Sequence, residues 1–189
     1  MRLHAGLVPP QEILDELEAV VRSAAGRADE IDPVPAPSLH IPLALFGNVA
    51  QGDAVALGNA LLREAATWAP TELRFAGGTA LEWPGDESIW AKLDGDIEQL
   101  GSIARSVHQV VQRLGFFVDR RKFRTWMSVG KITGSTTPAY LNGLVDALEA
   151  YRGSSWSIQE ICLLHTRRTT DDTESTYLEV HQRIPLGGS

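Results

Sequence analysis

The sequence predicts an α+β fold in which one order of strands and helices is used twice. Two observations carry that expectation. Short apolar runs bounded by Gly, Pro or Asn alternate with longer segments whose apolar residues recur at helical spacing. The order strand, helix, strand, helix, strand runs from Arg2 to Trp83 and begins again at Ser88. Sliding the chain by 86 residues lays Leu3 on Ile89, Ala5 on Ala91, Leu7 on Leu93, His40 on Trp126 and Leu43 on Val129. The same shift lays the helix at 51–68 on 137–154. A repeat of this size suggests two related lobes about an approximate two-fold axis. The repeat halves are about 1–83 and 84–170, and a strand at 174–186 completes a single domain of residues 1–189.

Each element has its own signal. Arg2 to Val8 reads as a strand stopped by Pro9-Pro10, which can open a helix. Ile13, Leu14, Leu17, Val20, Val21 and Ala24 then keep helical spacing, with Gly26 as the expected C-cap. Residues 27–37 are charged and Pro-rich and read as a loop. Ser38 to Gly47 is a buried strand, and Gln51 to Trp68 a helix with Leu57, Leu61, Ala65 and Trp68 on one face, stopped by Pro70. Glu72 to Phe75 is a strand broken by Gly77-Gly78, and Thr79 to Trp83 continues extended to a Pro84-Gly85 turn. Ser88–Leu93, the helix ending at Gly115, the strand around Trp126 and the helix opened by Pro138 form the second pass. Ser157–Leu164 and Thr176–Ile184 are strands separated by the polar loop 168–175, whose Asp171, Asp172 and Glu174 read as a solvated run rather than a metal site.

Composition excludes several classes. Hydrophobic content of 43% with 22% charged residues is that of a globular protein. A net charge of −7 argues against nucleic-acid binding driven by bulk charge, though not against a local basic cleft. No run of ~18 apolar residues is present, so no membrane span is expected. The N-terminal MRLHAGLVPP is too short an apolar run for a signal peptide. A single cysteine, Cys162, permits no internal disulfide and fits a reducing cytoplasm. Its apolar setting marks it as a buried filler. None of the five histidines has metal-ligand spacing, so no metal and no cofactor is expected.

Two strands bear the chemistry. Alternation puts His40, Pro42, Ala44 and Phe46 on one face of the first. Arg124, Trp126 and Ser128 share a face of the second, opposite Phe123, Thr125, Met127 and Val129. The repeat makes His40 and Trp126 symmetry mates facing one cleft.

With these motifs in place, the chain resembles the 2′-5′ RNA ligase / RNA 2′,3′-cyclic phosphodiesterase family of the two-histidine (2H) phosphoesterase superfamily. The resemblance rests on Arg2–Pro9, on Leu39-His40-Ile41-Pro42 through Gly47, on Gly115-Phe116-Phe117 with Phe123-Arg124, and on Leu163–Thr166 with Tyr177–Leu186. It implies two pseudo-symmetric lobes of antiparallel-rich sheet with outer helices around a central cleft. It also implies a His-x-Thr/Ser motif in each lobe, acting on RNA 2′,3′-cyclic phosphate ends or small cyclic nucleotides.

The departures fall on the reacting groups. His40 is kept, but Pro42 stands at its hydroxyl position. Trp126 stands at the second histidine, while Ser128 keeps the second hydroxyl and Thr125 replaces a proline. Cyclic phosphate opening needs a base to activate water and an acid for the leaving oxygen, with donors for the charge that develops. An indole has no titratable proton, and Pro42 has neither hydroxyl nor N–H. The resemblance therefore implies impaired catalysis, with His40 and Ser128 as the remaining catalytic candidates. Pro42, Arg124, Trp126, His4 and His165 are the substrate-binding candidates, and Lys131, Arg167 and Arg168 further cations. Trp126 either fills the cleft as core or offers a stacking face. His108 and His181 read as structural or solvent-facing. If active, the protein is a cyclic phosphodiesterase. The alternative is a non-catalytic nucleotide-binding, RNA-binding or protein-interaction module on the same fold.

Overall fold

In the computed structural model, which describes residues 1–24, 30–83, 86–118, 123–168 and 176–187, the chain forms two antiparallel sheets with helices packed on them. In order these are β1 (Arg2–Leu7), α1 (Gln11–Ser23), β2 (Ile31–Pro33), a 3₁₀ turn (Ala36–Ser38), β3 (Ile41–Asn48), α2 (Gln51–Ala65) and β4 (Thr71–Trp83). Then come β5 (Asp86–Gly95), α3 (Ile97–Arg113), β6 (Trp126–Ile132), α4 (Pro138–Ala150), β7 (Trp156–Ile158), β8 (Glu160–Arg168) and β9 (Thr176–Pro185). The expected helices are present at their amphipathic segments. Leu57, Leu61 and Ala65 of α2 and Leu141, Leu144 and Leu148 of α4 are buried.

The sheets do not coincide with the two halves of the sequence. One has the order β3-β1-β8-β9, the other β2-β6-β5-β4-β7. The first-half strand β4 thus pairs with second-half β5, and second-half β8 pairs with first-half β1. The helices follow the same exchange. α2 and α3 pack together, on β9 and β3 respectively, while α1 packs on α4, which lies on β4.

Four local expectations are corrected. Gly77-Gly78 does not break the strand: β4 runs through, with a register shift between Phe75 and Gly78. Gly77 has φ +94°, a backbone state that glycine adopts without strain, and a Cβ on Gly78 would stand 2.4 Å from Leu148 Cβ of α4. Ser157–Leu164 is not one strand. Exposed Gln159 divides it, β7 pairing with β4 in one sheet and β8 with β1 in the other. The segment 27–37 is not all loop, since Ile31–Pro33 pairs with β6. The strand expected from Ser38 begins only at Ile41, because Ser38 ends the 3₁₀ turn. The expected Gly26 cap, the Pro84-Gly85 turn and the 171–174 acidic run lie outside the described residues.

Alternation along β3 is also interrupted. Register shifts against β1 fall between Ala5 and Gly6 and between Leu3 and His4, leaving Leu43 and Phe46 as the extra residues of two bulges. Ala44 and Phe46 are consequently buried in the core, and exposed Leu45 takes the face expected for them, beside His40 and Pro42.

Candidate functional site

The site is a cavity of about 400 Å³ between the two sheets, lined on one side by His40, Pro42 and Leu45 and on the other by Trp90, Arg124 and Trp126. The indole of Trp126 therefore forms a wall of an open cleft. Its own surface is half-buried.

His40 sits in the link between the 3₁₀ turn and β3, and the turn fixes its ring. Its Nδ1 lies 2.8 Å from the Ser38 carbonyl. A carbonyl only accepts, so Nδ1 carries the hydrogen and, in the neutral ring, Nε2 is bare. That Nε2 lies 3.1 Å from Nε2 of His4 on β1, which must donate to it. Both ring nitrogens of His40 are thus engaged by the protein. Gly6 makes room: a Cβ there would stand 3.2 Å from the His40 ring and 3.0 Å from Leu164 Cδ1.

His4 is 5% exposed. Burial, then the neighbouring His40 and Arg2, push its imidazole down from the ordinary 6.5 to about 3. Burial also lowers His40, against the opposing pull of the Ser38 carbonyl. The two rings have centroids 4.9 Å apart, and for both the neutral form is favoured over the protonated one relative to an ordinary histidine.

Across the cleft, the Arg124 guanidinium lies 5.1 Å from the centre of the Trp126 ring, in cation–π contact, and 3.4 Å from the Asp86 carboxylate. Its charge is therefore already matched. Trp90 of β5 stacks obliquely on Trp126, ring centroids 6.3 Å apart. Its Nε1–H is buried with no hydrogen-bond partner among the described residues.

The structure brings His40, Pro42, Arg124 and Trp126 together at the cleft, as the sequence implies. His4 joins them through His40. Ser128 is half-buried, pairs with Trp90 across β5 and β6, and does not line the cleft. His165 pairs with Leu3 and so lies on the opposite face from His4, near Glu179 at 4.0 Å. Burial and then Arg167 lower its imidazole. Arg167 itself is paired with Glu179, Lys131 is exposed on β6, and the Arg168 side chain lies outside the described residues. Cys162 is buried, its thiol pushed up to about 11, which suits a packing role. His108, expected to be structural or solvent-facing, lines the cleft from α3, with Nε2 donating to the Leu43 carbonyl at 3.3 Å. Phe123, expected on the face away from Trp126, also lines it. The strand expected there starts only at Trp126, so alternation does not govern Phe123.

Sequence reasoning missed Trp90 and Asp86. For Trp90 the signal lay in the repeat: the 86-residue shift carries His4 onto Trp90 just as it carries His40 onto Trp126. No group of His, Cys, Asp or Glu among the described residues has the arrangement to hold a metal ion.

No protein-family model and no curated protein matches the chain. Solved structures do. Escherichia coli LigT, a 2′-5′ RNA ligase, superposes with TM-score 0.77 at 18% identity over 99% of this chain and 98% of its own. TT0787 of Thermus thermophilus superposes with TM-score 0.73 at 20% identity over 100% of this chain and 99% of its own. The fold is that of the 2H phosphoesterases. Usb1 of Kluyveromyces marxianus shares this 2H phosphoesterase fold more distantly, with TM-score 0.52 at 12% identity over 98% of this chain and 97% of its own. LigT has been solved with 3′-AMP, ATP, NADP⁺ and phosphate bound. No described helix is long and apolar enough to cross a membrane.

Proposed function

We propose that the protein binds a nucleotide, or an RNA end carrying a 2′,3′-cyclic phosphate, in the cleft between His40 and Trp126, and that its phosphodiesterase chemistry is impaired. One observation carries this reading: His40, facing an indole instead of a second imidazole, has both ring nitrogens hydrogen-bonded within the protein. A general base needs a free lone pair and a general acid needs a spare proton. The lone pair of His40 is capped by His4, and burial disfavours the protonated form of either ring. The cleft nevertheless suits a planar base. Trp126, Trp90 and Phe123 give apolar surface, and stacking on an aromatic side chain is worth about 1–3 kcal/mol per base. The nucleotide complexes of LigT, on the same fold, support that ligand class. The single buried cysteine agrees with a reducing, cytoplasmic setting.

The test is to titrate the pure protein calorimetrically with 2′,3′-cyclic nucleotides and a cyclic-phosphate-ended RNA, and to follow turnover by chromatography. Binding with little turnover, weakened by Trp126→Ala, is the expected result. Rapid turnover lost in His40→Ala would overturn the impairment and leave the ligand class standing. Neither binding nor turnover would overturn the whole reading in favour of an interaction module.

A further inference from the structure

His40 and Leu45 line a second cavity as well, of about 500 Å³, on the face of the β1, β8 and β9 strands. Its lining follows from register. His4 pairs with Leu45 on β3 and Leu164 on β8, and Leu3 with His165. One step further along β1 therefore sets Arg2 beside Thr166, which itself pairs with Leu178 on β9. Cross-strand neighbours share a face, and Arg2, His4, Thr166 and Leu178 all line this cavity, with Tyr177 at its rim.

The two cavities differ in charge. In the cleft, Arg124 is neutralised by Asp86, whose carboxylate also repels an incoming anion. Arg113 and Arg183 are likewise matched, with Glu64 and Glu160. Among the described residues Arg2 forms no ion pair, and none of those lining its cavity carries a carboxylate. An exposed, unmatched guanidinium with a hydroxyl beside it at the mouth of a concave site is what a phosphate group binds.

We propose that this second cavity is a phosphate subsite, in which Arg2 and the Thr166 hydroxyl receive the phosphate of a nucleotide whose base lies against Trp126. The proposal rests on the nucleotide reading of the cleft and adds to it the direction in which the ligand lies: across His40 and Leu45, not confined between His40 and Trp126.

Calorimetric titration with 3′-AMP, adenosine and inorganic phosphate tests it, using the wild type, Arg2→Gln, Thr166→Val and Arg124→Gln. Arg2→Gln should weaken 3′-AMP about tenfold while leaving adenosine unchanged, and Thr166→Val should act in the same direction. Arg2 is exposed, so its variant should keep the wild-type urea midpoint. Preference for 3′-AMP over adenosine that survives Arg2→Gln, or is erased by Arg124→Gln instead, would overturn the subsite while leaving the cleft reading intact. If adenosine and 3′-AMP both fail to bind, the cleft reading falls. Arg2-dependent binding of inorganic phosphate would then still support the subsite, and its absence would overturn that too.

Discussion

Two pairs of rings face each other across the cleft, and they answer to the same sequence offset. His4 on β1 lies against His40 ahead of β3, with centroids 4.9 Å apart and planes 49° apart. Trp90 on β5 lies against Trp126 on β6, with centroids 6.3 Å apart and planes 52° apart. Geometry is nearly preserved while chemistry is not. The imidazole pair shares a hydrogen bond between two titratable rings. The indole pair can only stack and donate, and it has drawn a guanidinium over its face. A fold can therefore keep the geometry of a ring pair while its chemistry differs, because ring packing and strand register do not depend on titration.

The largest effect should come from undoing that asymmetry. Trp126→His with Pro42→Thr restores the second imidazole and the first hydroxyl. Adding His4→Leu frees the His40 lone pair. The triple variant should hydrolyse 2′,3′-cyclic AMP at least about 10²-fold faster than wild type, by chromatographic assay, the scale expected for one general acid–base group. Full gain from Trp126→His alone would show that the His4 contact does not restrain His40.

The imidazole pair should also leave a pH signature. Below the ordinary value of 6.5 the unfolded chain protonates His4, and the folded chain resists protonation there down to about 3. Stability from this group is thus whole above pH 6.5 and lost as the pH falls through that window. The urea midpoint should drop by more between pH 7.5 and 4.5 in wild type than in His4→Leu. Equal drops would mean the contact carries no linkage.

On the indole side, Trp126→Ala should weaken nucleotide binding about tenfold to a hundredfold by calorimetry. Trp90→Leu should weaken it less, sharpening which indole touches the ligand. The smallest effect belongs to Arg124→Gln: its ion pair with Asp86 is part-exposed, so folding stability should change by under about 1 kcal/mol in urea titration.

Much of this was legible in the residues. Apolar periodicity located the four helices, and the short runs around Leu3, Leu43, Ile89 and Met127 located the central strands, because burial of one face imposes those spacings. The meeting of His40 and Trp126 at one cleft followed from the repeat. What periodicity missed were the departures from regularity. Bulges at Leu43 and Phe46 rotate Leu45 onto the cleft face, a change no alternation rule contains. The division at Gln159 depends on which sheet each side can bury against. The His4–His40 contact arises between strands and needs the gap left by Gly6. The two cavities are set by register across three strands, which a single stretch of sequence does not encode.

The crossing of β4 and β8 between sheets has a mechanical consequence. Each half of the chain supplies a strand that the other half's sheet cannot close without, so the walls of the cleft are not jaws on a hinge. Cut at the midpoint, neither fragment would keep its own layer, and each would offer bare strand edges to its neighbours and aggregate.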